Sequence, residues 1–468
     1  MSRDLFDLVA QLAGDYRERV AAMPVAMSHT ADELLAHVRA ELPDDGESPE
    51  DALRALVAAV EPGLTHTANP RYFGFVIGGS TPASVAADWL TSAWDQSGQA
   101  FATSPAAAVI EDVVSRWLLD LLRLPADCGV GLVTGGQMAN FTALAAARNA
   151  VLRQHGWDPD TGGLQGAPPI TVLSGECSHA TVHTAIRLAG LGTRNVVTVP
   201  ADDQGRMHPD ALETALDACA GPTIVCVQAG NVNTGAFDPF PRVAALASSR
   251  GAWLHVDGAF GLWAAASPRF RYLCDGVEQA DSWAVDAHKW LNVPYDSGIV
   301  IIRDRDAHRR LKTARCSYAG TAAADRRDGS QWVPENSRRA RAFVLYAALR
   351  NFGRQGVQRL VERCCDAASS FASRLAALPD ARLLNDVVLN QVLCRFEPAG
   401  VEDVDRFNAD VAERVQRDGV CWLGTTRWQD RTALRISVSN WQTTLADVET
   451  SVASIAAAAR ACAPAPQA

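Results

Sequence analysis

The strongest constraint on the fold of this 468-residue chain is the alternation of two kinds of segment between about residues 110 and 310. Short apolar runs rich in β-branched residues are separated by stretches with helical spacing, which predicts βαβ units and a mainly parallel sheet. Sheets of this kind bind ligands at the carboxyl ends of their strands. The functional residues are therefore expected there. The candidate strands are 131–133, 170–173, 196–199, 223–227, 253–256 and 298–302.

The flanking segments have a different character. Residues 1 to about 60 contain three segments of helical spacing, and Ser48-Pro49 followed by two acidic residues is typical of a helix start. From about residue 353 onward, helices mix with alternating strands, as in an α+β domain. The sequence predicts a helical N-terminal arm over 1–80, a large cofactor-binding domain over 81–345 and a small C-terminal domain over 346–468.

Composition excludes several classes of protein. The hydrophobic content of 48% and the charged content of 21% fit a globular protein. The net charge of −10, with both signs interspersed, argues against a nucleic-acid partner. No apolar run is long enough for a bilayer, and the first residues lack the pattern of a signal peptide. Eleven scattered cysteines without a C-x-x-C motif favour reduced thiols over a disulfide framework or a metal site, which predicts a cytoplasmic location.

Two features at predicted strand ends offer groups for an anion and for a cation. TGGQMAN (134–140) follows a strand and opens a helix, so its glycines allow a sharp turn and its free N–H groups face an anion. It matches neither a Walker A nor a G-x-G-x-x-G motif, and a plain strand-to-helix turn is the alternative. In HVDGAFG, Asp257 ends an apolar strand, where a carboxylate needs a cation or a hydrogen-bond donor. Ala259 beside it leaves room for a flat ligand, and a capping role for Asp257 is the alternative.

The other two features are a histidine and a lysine. His179 begins a helix near the same sheet edge, where a structural or capping role is the alternative to a functional one. Lys289 lies in DAHKWL, 32 residues after Asp257, which leaves room for one crossover and a strand. A lysine held in an apolar pocket acts as a nucleophilic amine, and the alternative is a solvated loop lysine.

Together the four features match the requirements of pyridoxal phosphate. This cofactor needs a glycine-rich helix start for its phosphate and a carboxylate that keeps its pyridine nitrogen protonated. It also needs an aromatic ring that stacks on its face and a lysine that binds it covalently. The sequence therefore predicts pyridoxal 5'-phosphate as the cofactor.

The segments that carry these residues resemble the group II pyridoxal-phosphate-dependent amino acid decarboxylases, the family of the aromatic-L-amino-acid and glutamate decarboxylases. The resemblance extends in family order from about residue 65 to residue 450, and its most specific segments are HVDGAFG and DAHKWL. Weaker matches include NPRYFGF, GGQMANFTALAAAR, CSHATVHTAIRLAG and RISVSNWQTT. The resemblance implies an aspartate-aminotransferase-like α/β fold of type I and a carbon–carbon lyase that releases carbon dioxide and an amine. It also implies a homodimer with the active site at the interface.

The resemblance implies roles for individual residues as well. Lys289 corresponds to the lysine that binds the cofactor, Asp257 to the partner of the pyridine nitrogen, and His179 to the ring that stacks on the cofactor. Tyr318, 29 residues after Lys289, is the candidate for the tyrosine that protonates the product carbon. The remaining cofactor-binding candidates are Gly136, Gln137, Asn231, Ala259, Asp286 and His288.

Several positions depart from the family pattern. Asp286 stands where the family often has Asn, and a carboxylate beside a phosphate is electrostatically unfavourable, so bonds to the lysine or to a backbone group are the alternative. In AGNVNTG, either Asn231 or Asn233 is the cofactor contact. Phe75 and Arg435 are the candidate substrate-binding residues, and Arg435 either holds a carboxylate or ties the small domain together.

The predicted reaction is the decarboxylation of an L-amino acid, with aromatic substrates preferred over acidic ones. A transaminase on the same fold would instead form a keto acid, and an aldehyde synthase would release aldehyde, ammonia and peroxide. Tyr318 argues against the synthase, because relatives with that chemistry tend to lose this residue. A non-catalytic cofactor-binding protein is the last alternative, although the set of Lys289, Asp257, His179 and Tyr318 is more than binding requires.

Overall fold

The computed structural model describes residues 3–26, 29–38, 41–312 and 327–464. Its larger sheet consists of β1 (Gly129–Val133), β2 (Thr171–Gly175), β3 (Val196–Val199), β4 (Thr223–Gln228), β5 (Trp253–Asp257), β6 (Ser282–Asp286) and β7 (Gly298–Ile302). The strand order is β1-β7-β6-β5-β4-β2-β3. Strands β3, β2, β4, β5 and β6 are parallel to one another, whereas β7 pairs antiparallel with both β1 and β6. The predicted mainly parallel sheet is confirmed.

The helices of the described residues alternate with these strands and extend beyond them on both sides. In chain order they are α1 (Arg3–Arg19), α2 (Ala31–Leu35), α3 (Pro49–Val60), α4 (Pro82–Trp94), α5 (Pro105–Leu121), α6 (Gly136–Gln154), α7 (Pro159–Gly162), α8 (Ala180–Leu188), α9 (Pro209–Asp217), α10 (Phe240–Ser249), α11 (Arg305–Arg310), α12 (Ala342–Ala376), α13 (Val404–Asp418) and α14 (Leu445–Cys462). Short 3-10 helices cover 61–63, 261–266, 271–274, 277–279 and 329–331. Within the described ranges, no helix combines the length and the apolar character needed to span a bilayer.

Helices cover both faces of the larger sheet. Successive side chains of a strand point to opposite faces, so Leu132 joins the core shared with α5, α9, α10 and α12, while Val133 joins the core shared with α6 and α8. The buried face of α6 is rich in alanine, which lets this helix lie close to the strands. With both faces covered, the open edge at the carboxyl ends of the parallel strands is where a ligand has access.

The C-terminal part forms the smaller α+β unit that the sequence predicts. Its sheet consists of β8 (Ala381–Leu383), β9 (Gln391–Phe396), β10 (Gly424–Trp428) and β11 (Arg431–Ser437), in the order β10-β11-β9-β8 with antiparallel pairing throughout. Helices α12 and α13 pack on it, and α14 packs on these two helices. The domain boundaries at residues 80 and 345 stay predictions, and α12 continues across the second of them.

The N-terminal arm is helical, as expected. Ser48 begins α3 as the sequence predicts, since its hydroxyl accepts the backbone N–H of Asp51 and Pro49 takes the first helical position. The arm is attached to the rest of the chain by polar contacts. The Arg71 Nε donates to the Val420 carbonyl at 2.8 Å, and the N–H of Val25 donates to the carbonyl of Gly419 at 2.8 Å.

Candidate active site

The carboxyl ends of the parallel strands and the start of α6 meet around one cavity. Strand β5 ends at Asp257, β6 ends at Asp286, and α6 begins at Gly136. Strand β2 leads into the short loop that carries His179 to the same edge. The structure therefore brings together residues that are more than 100 positions apart in the sequence. The cavity is lined by seven of the predicted residues: Gly136, Gln137, His179, Asp257, Ala259, Asp286 and Lys289.

Asp257 places a buried carboxylate at this cavity. The residue is 7% exposed and accepts hydrogen bonds from the Ala259 N–H at 3.2 Å and, over a longer 3.4 Å, from the Asn140 amide. Burial raises the pKa of Asp257, and Lys289 and His179 oppose that rise. A buried carboxylate in this setting is stabilised most by a cationic partner, and a protonated pyridine nitrogen is such a partner.

Lys289 is held by an acidic partner at the cavity. Its Nζ lies 2.9 Å from Asp286 Oδ2, and the side chain of Asp286 is only 3% exposed. The other oxygen, Oδ1, accepts the backbone N–H of Gly136 at 2.6 Å, at the first residue of α6. Free N–H groups and the helix dipole favour an anion at this position. Asp286 thus bonds both to the lysine and to a backbone group, at the helix start predicted to hold a phosphate.

His288 lies beside Asp286 with a defined proton position. Its Nδ1 accepts the backbone N–H of Ser297 at 3.1 Å, so the neutral ring carries its proton on Nε2, which lies 3.3 Å from Asp286 Oδ1. The ring of Tyr295 packs against the imidazole with 4.3 Å between centroids. Burial lowers the pKa of His288, while Asp286 opposes that effect. His288 is therefore a neutral ring whose protonated Nε2 lies next to the carboxylate.

His179 presents an imidazole ring to the cavity from the start of α8. As the N-cap residue, it accepts the backbone N–H of Thr181 at its Nδ1 over 3.3 Å, and the Thr181 hydroxyl lies 2.7 Å from the same atom. Burial lowers the pKa of His179, and Asp257 opposes this while Lys289 adds to it. With Nδ1 engaged by the cap, the neutral ring is held in one orientation and has its Nε2 proton available. A neutral, fixed imidazole is suited to stacking on a flat conjugated ring.

Arg435 and Phe75 differ in how near they come to the cavity. Arg435 on β11 is half-buried, and its Nη1 reaches the carbonyl of Val232, a cavity-lining residue, over 3.5 Å. Burial lowers the pKa of Arg435, and Tyr72 opposes this. No acidic side chain in the described part of the chain forms an ion pair with this guanidinium. Phe75 is 60% exposed, contacts the Trp422 ring at 5.4 Å between centroids and does not line the cavity.

The asparagines of AGNVNTG stabilise their own loop. Asn231 is 1% exposed, accepts the N–H groups of Asn233 and Thr234 at 2.9 and 3.2 Å, and donates to the Cys177 carbonyl at 3.0 Å. Asn233 accepts the Thr426 hydroxyl at 2.9 Å. Neither asparagine is among the residues that line the cavity, and the contact of one of them with the cofactor stays a prediction. The predicted proton donor, Tyr318, lies outside the described residues.

The sequence prediction does not include three polar residues that also line the cavity: Asn140, Thr181 and Gln228. Asn140 lies one helical turn after Gly136, so the i,i+4 spacing within TGGQMAN was a signal that places both residues on one face of α6. Gln228 is the last residue of β4, at the same sheet edge as Asp257. The position of Gln228 at a strand end was a signal in the sequence, whereas Thr181 has no comparable signal.

Comparison with known proteins adds an independent observation. Residues 32–397 match the family model described as the pyridoxal-dependent decarboxylase conserved domain. The chain belongs to this family. Its cofactor is pyridoxal phosphate and it is a carboxy-lyase, as the sequence predicts.

Individual relatives cover nearly all of the decarboxylase. It is 29% identical to tryptophan decarboxylase 1 of Oryza sativa subsp. japonica over 91% of this chain and 87% of that protein. It is 25% identical to the phenylacetaldehyde synthase of Arabidopsis thaliana, over 93% and 91% of the two chains. A crystal structure of Oryza sativa TDC with PLP and tryptamine superposes with a TM-score of 0.92 at 26% identity, covering 98% of this chain and 97% of that chain. The predicted type I fold is confirmed.

The residues of this decarboxylase fit its cofactor on two structural observations. The start of α6 offers an N–H group to an anion, and a Cβ at Gly136 would lie 2.7 Å from Asp286 Oδ2, so a larger residue would obstruct that position. The buried carboxylate of Asp257 lies at the same cavity as the amine of Lys289. The start of α6 suits a phosphate, the carboxylate of Asp257 suits a pyridinium, and the amine of Lys289 suits the covalent attachment.

Proposed function

We propose that this decarboxylase removes the α-carboxyl group of aromatic L-amino acids and releases the corresponding amines. The observation that carries the proposal is the meeting of Lys289, Asp257 and His179 at one cavity. The substrate class is supported by the relationship to a tryptophan decarboxylase over 91% of this chain.

Asp257 and Lys289 hold the cofactor at its two reactive positions in this proposal. When bound, pyridoxal phosphate supplies an electron sink for the electron pair that the departing carboxylate leaves behind. Asp257 keeps a proton on the pyridine nitrogen, because a buried carboxylate is stabilised by an adjacent cation. Lys289 would attach the cofactor covalently through Nζ. The backbone N–H of Gln137, in the first turn of α6 at the cavity, would bind the phosphate, since the Gly136 N–H donates to Asp286.

Asp286 accepts the proton that the Lys289 ammonium group loses in this proposal. An ammonium group must lose a proton before it acts as a nucleophile, and Asp286 Oδ2 lies 2.9 Å from Lys289 Nζ. His288 Nε2 lies 3.3 Å from the other oxygen, so the positive end of its N–H dipole is next to the same carboxylate. This pair of contacts gives Asp286 a role at the lysine, although its family position suggests a contact with phosphate.

His179 and Arg435 orient the substrate. The fixed ring of His179 would stack on the cofactor and exclude water from the carboxylate that leaves, which would favour a reaction that disperses negative charge. Arg435 supplies a guanidinium without an acidic partner in the described part of the chain, at the cavity edge, where it suits a substrate carboxylate. The proton that replaces the carboxyl group comes from Tyr318 in this proposal.

A substrate panel tests the proposal. The cofactor-loaded enzyme is incubated with each proteinogenic amino acid, and carbon dioxide, amine, keto acid, aldehyde and peroxide are measured. We expect equal amounts of carbon dioxide and amine from tryptophan, tyrosine or phenylalanine, and no peroxide. Turnover of acidic amino acids alone would refute the substrate class. Aldehyde with peroxide would identify a synthase, keto acid with pyridoxamine phosphate a transaminase, and no turnover at all a binding protein.

We further propose that the enzyme is a homodimer. Large apolar side chains on the N-terminal arm and on α4 are uncovered in the single chain, and each is at least 41% exposed: Phe6, Leu35, Leu56, Trp89 and Trp94. Exposed large apolar side chains of this kind are typical of subunit interfaces. Light scattering should give twice the mass of one chain, and charged residues in place of Trp89 and Trp94 should shift the enzyme toward the monomer. A monomeric wild-type enzyme would contradict the proposal.

We also propose a cytoplasmic location for the decarboxylase. The cysteines of the described residues are all unpaired thiols, and most of them are buried. Unpaired buried thiols suit a reducing compartment. Fractionation of the native cells with an antibody against the chain tests this proposal, and recovery in a membrane or extracellular fraction would refute it.

A further inference from the structure

A continuous chain of buried hydrogen bonds runs away from the cavity behind Asp257. The Asn140 amide donates to Asp257 at 3.4 Å, and its carbonyl oxygen lies 2.9 Å from His255 Nε2. His255 Nδ1 lies 2.9 Å from the Ser282 hydroxyl, which in turn lies 2.9 Å from the indole nitrogen of Trp253. All five residues of this chain are between 0 and 7% exposed.

Strand geometry explains why these residues meet. Trp253, His255 and Asp257 occupy alternate positions of β5, so their side chains point to the same face of the sheet, which is covered by α6. Ser282 is the residue paired with His255 on the neighbouring strand β6. Asn140 reaches the same face from α6, one turn after the glycine that begins the helix.

The direction of each hydrogen bond follows from the two ends of the chain. The ionised Asp257 only accepts, so the Asn140 NH2 group faces it and the Asn140 carbonyl faces His255. His255 therefore carries a proton on Nε2. Burial lowers the pKa of His255 to about 3, so the ring is neutral and Nδ1 accepts the proton of the Ser282 hydroxyl. That hydroxyl accepts the indole N–H of Trp253, which only donates, so every link joins one donor to one acceptor.

We infer that Asn140 and His255 are positioning residues that hold Asp257 in place as a charged carboxylate for the cofactor's ring nitrogen. The inference rests on the role proposed for Asp257. A neutral donor stabilises the carboxylate without cancelling its charge, whereas a cationic residue at position 140 would form an ion pair with Asp257 and compete with the pyridinium. The neutral imidazole behind Asn140 fixes the orientation of the amide, so the NH2 group rather than the carbonyl faces Asp257.

The test replaces individual links and reads the protonation of the cofactor directly. The wild-type enzyme, Asn140→Leu, His255→Leu and His255→Gln are loaded with pyridoxal phosphate labelled with 15N in the ring. The 15N chemical shift reports the protonation of that nitrogen, and kcat and KM are measured alongside. Asn408→Leu is the matched control, because Asn408 is also a fully buried asparagine that bonds to backbone groups, but it lies in the small C-terminal unit.

We expect Asn140→Leu and His255→Leu to shift the 15N signal toward the unprotonated ring and to lower kcat about tenfold or more with little change in KM. His255→Gln retains an N–H donor toward Asn140 and should recover most of both losses. Asn408→Leu should lower stability without moving the 15N signal. The inference fails if the Leu variants keep the wild-type signal and kcat while only their stability falls.

A reference variant separates this inference from the proposed function. Asp257→Asn removes the charge that both assume, so its 15N signal should lie fully at the unprotonated position. If Asp257→Asn keeps the wild-type signal, the role of Asp257 itself is wrong. If the 15N signal of Asp257→Asn moves to the unprotonated position while both Leu variants keep the wild-type signal, only the positioning role is wrong. Should Asn140→Leu fail to fold, His255→Leu and its Gln counterpart carry the same comparison.

Discussion

Replacing Gly298 with Ala tests whether close backbone packing holds the glycine turn at the cofactor site. Gly298 begins β7, pairs with Val133 and Asp286 across its two strand neighbours, and lies directly against Gly135. A Cβ at position 298 would lie 2.5 to 2.6 Å from the N, Cα and C atoms of Gly135. Contacts below 3.0 Å are essentially never observed for a Cβ, so the strand and the turn would have to separate by several tenths of an ångström.

The size of the effect follows from what has to move. Overpacking of a buried site costs about 1–3 kcal/mol, and the upper part of that range applies because backbone atoms rather than a flexible side chain are displaced. Gly→Ala also stabilises by about 0.4–1 kcal/mol through the unfolded chain. The displaced turn leads into the start of α6, which is proposed to hold the phosphate, so we expect cofactor affinity to fall about tenfold, equivalent to about 1.4 kcal/mol.

Urea unfolding and titration of the apoprotein with pyridoxal phosphate measure the two effects separately. Gly175→Ala is the matched control, because Gly175 is also a buried glycine in the same sheet, and a Cβ there would come no closer than 3.6 Å to Met207. Gly175→Ala has the same stabilisation from the less flexible unfolded chain but no steric clash. The difference in the free energy of unfolding between the two variants therefore gives the cost of the clash at position 298. Equal stability and equal cofactor affinity of both variants would refute the reasoning.

Three further predictions concern the lysine, its partner and buried histidines. The sequence contains only two lysines, Lys289 and Lys312, so borohydride reduction of the loaded enzyme should fix the cofactor on Lys289 alone. Lys289→Ala should lose this label and all turnover, whereas Lys312→Ala should keep both. Peptide mass spectrometry detects the label, and the decarboxylation assay measures turnover. Asp286→Asn removes the buried negative charge at the helix start proposed to hold the phosphate, so pyridoxal phosphate should bind about tenfold more tightly. Weaker binding in an apoprotein titration would contradict this. Burial lowers the pKa of His255 and of His308 to about 3, below the unfolded value near 6.5. As the pH falls, the unfolded state therefore binds protons before the folded state does. Each histidine should lower the free energy of unfolding by about 1.4 kcal/mol per pH unit below about pH 6. Urea midpoints that do not fall between pH 7 and pH 5 would contradict that prediction.

Much of the fold could be predicted because local patterns report element type and burial. All six predicted strands exist, and two of them, 196–199 and 298–302, have the observed bounds. Strand β6 was not among them: its five residues, SWAVD, are fully buried but too short and mixed to stand out as an apolar run. The antiparallel direction of β7 was also unpredictable, since an apolar run carries no information about strand direction.

The sequence by itself determined which chemical groups are available and which cofactor they suit. Lys289, Asp257, His179 and the glycine turn follow strands or begin helices, and parallel sheets collect such positions at one edge. The role of Asp286 depended on the tertiary structure, because its carboxylate meets Gly136 across 150 residues of sequence. The same holds for Asn140, which meets Asp257 across 117 residues. Spacing along the chain predicts neighbours within one helix or strand, whereas long crossover connections decide which distant side chains share a hydrogen bond.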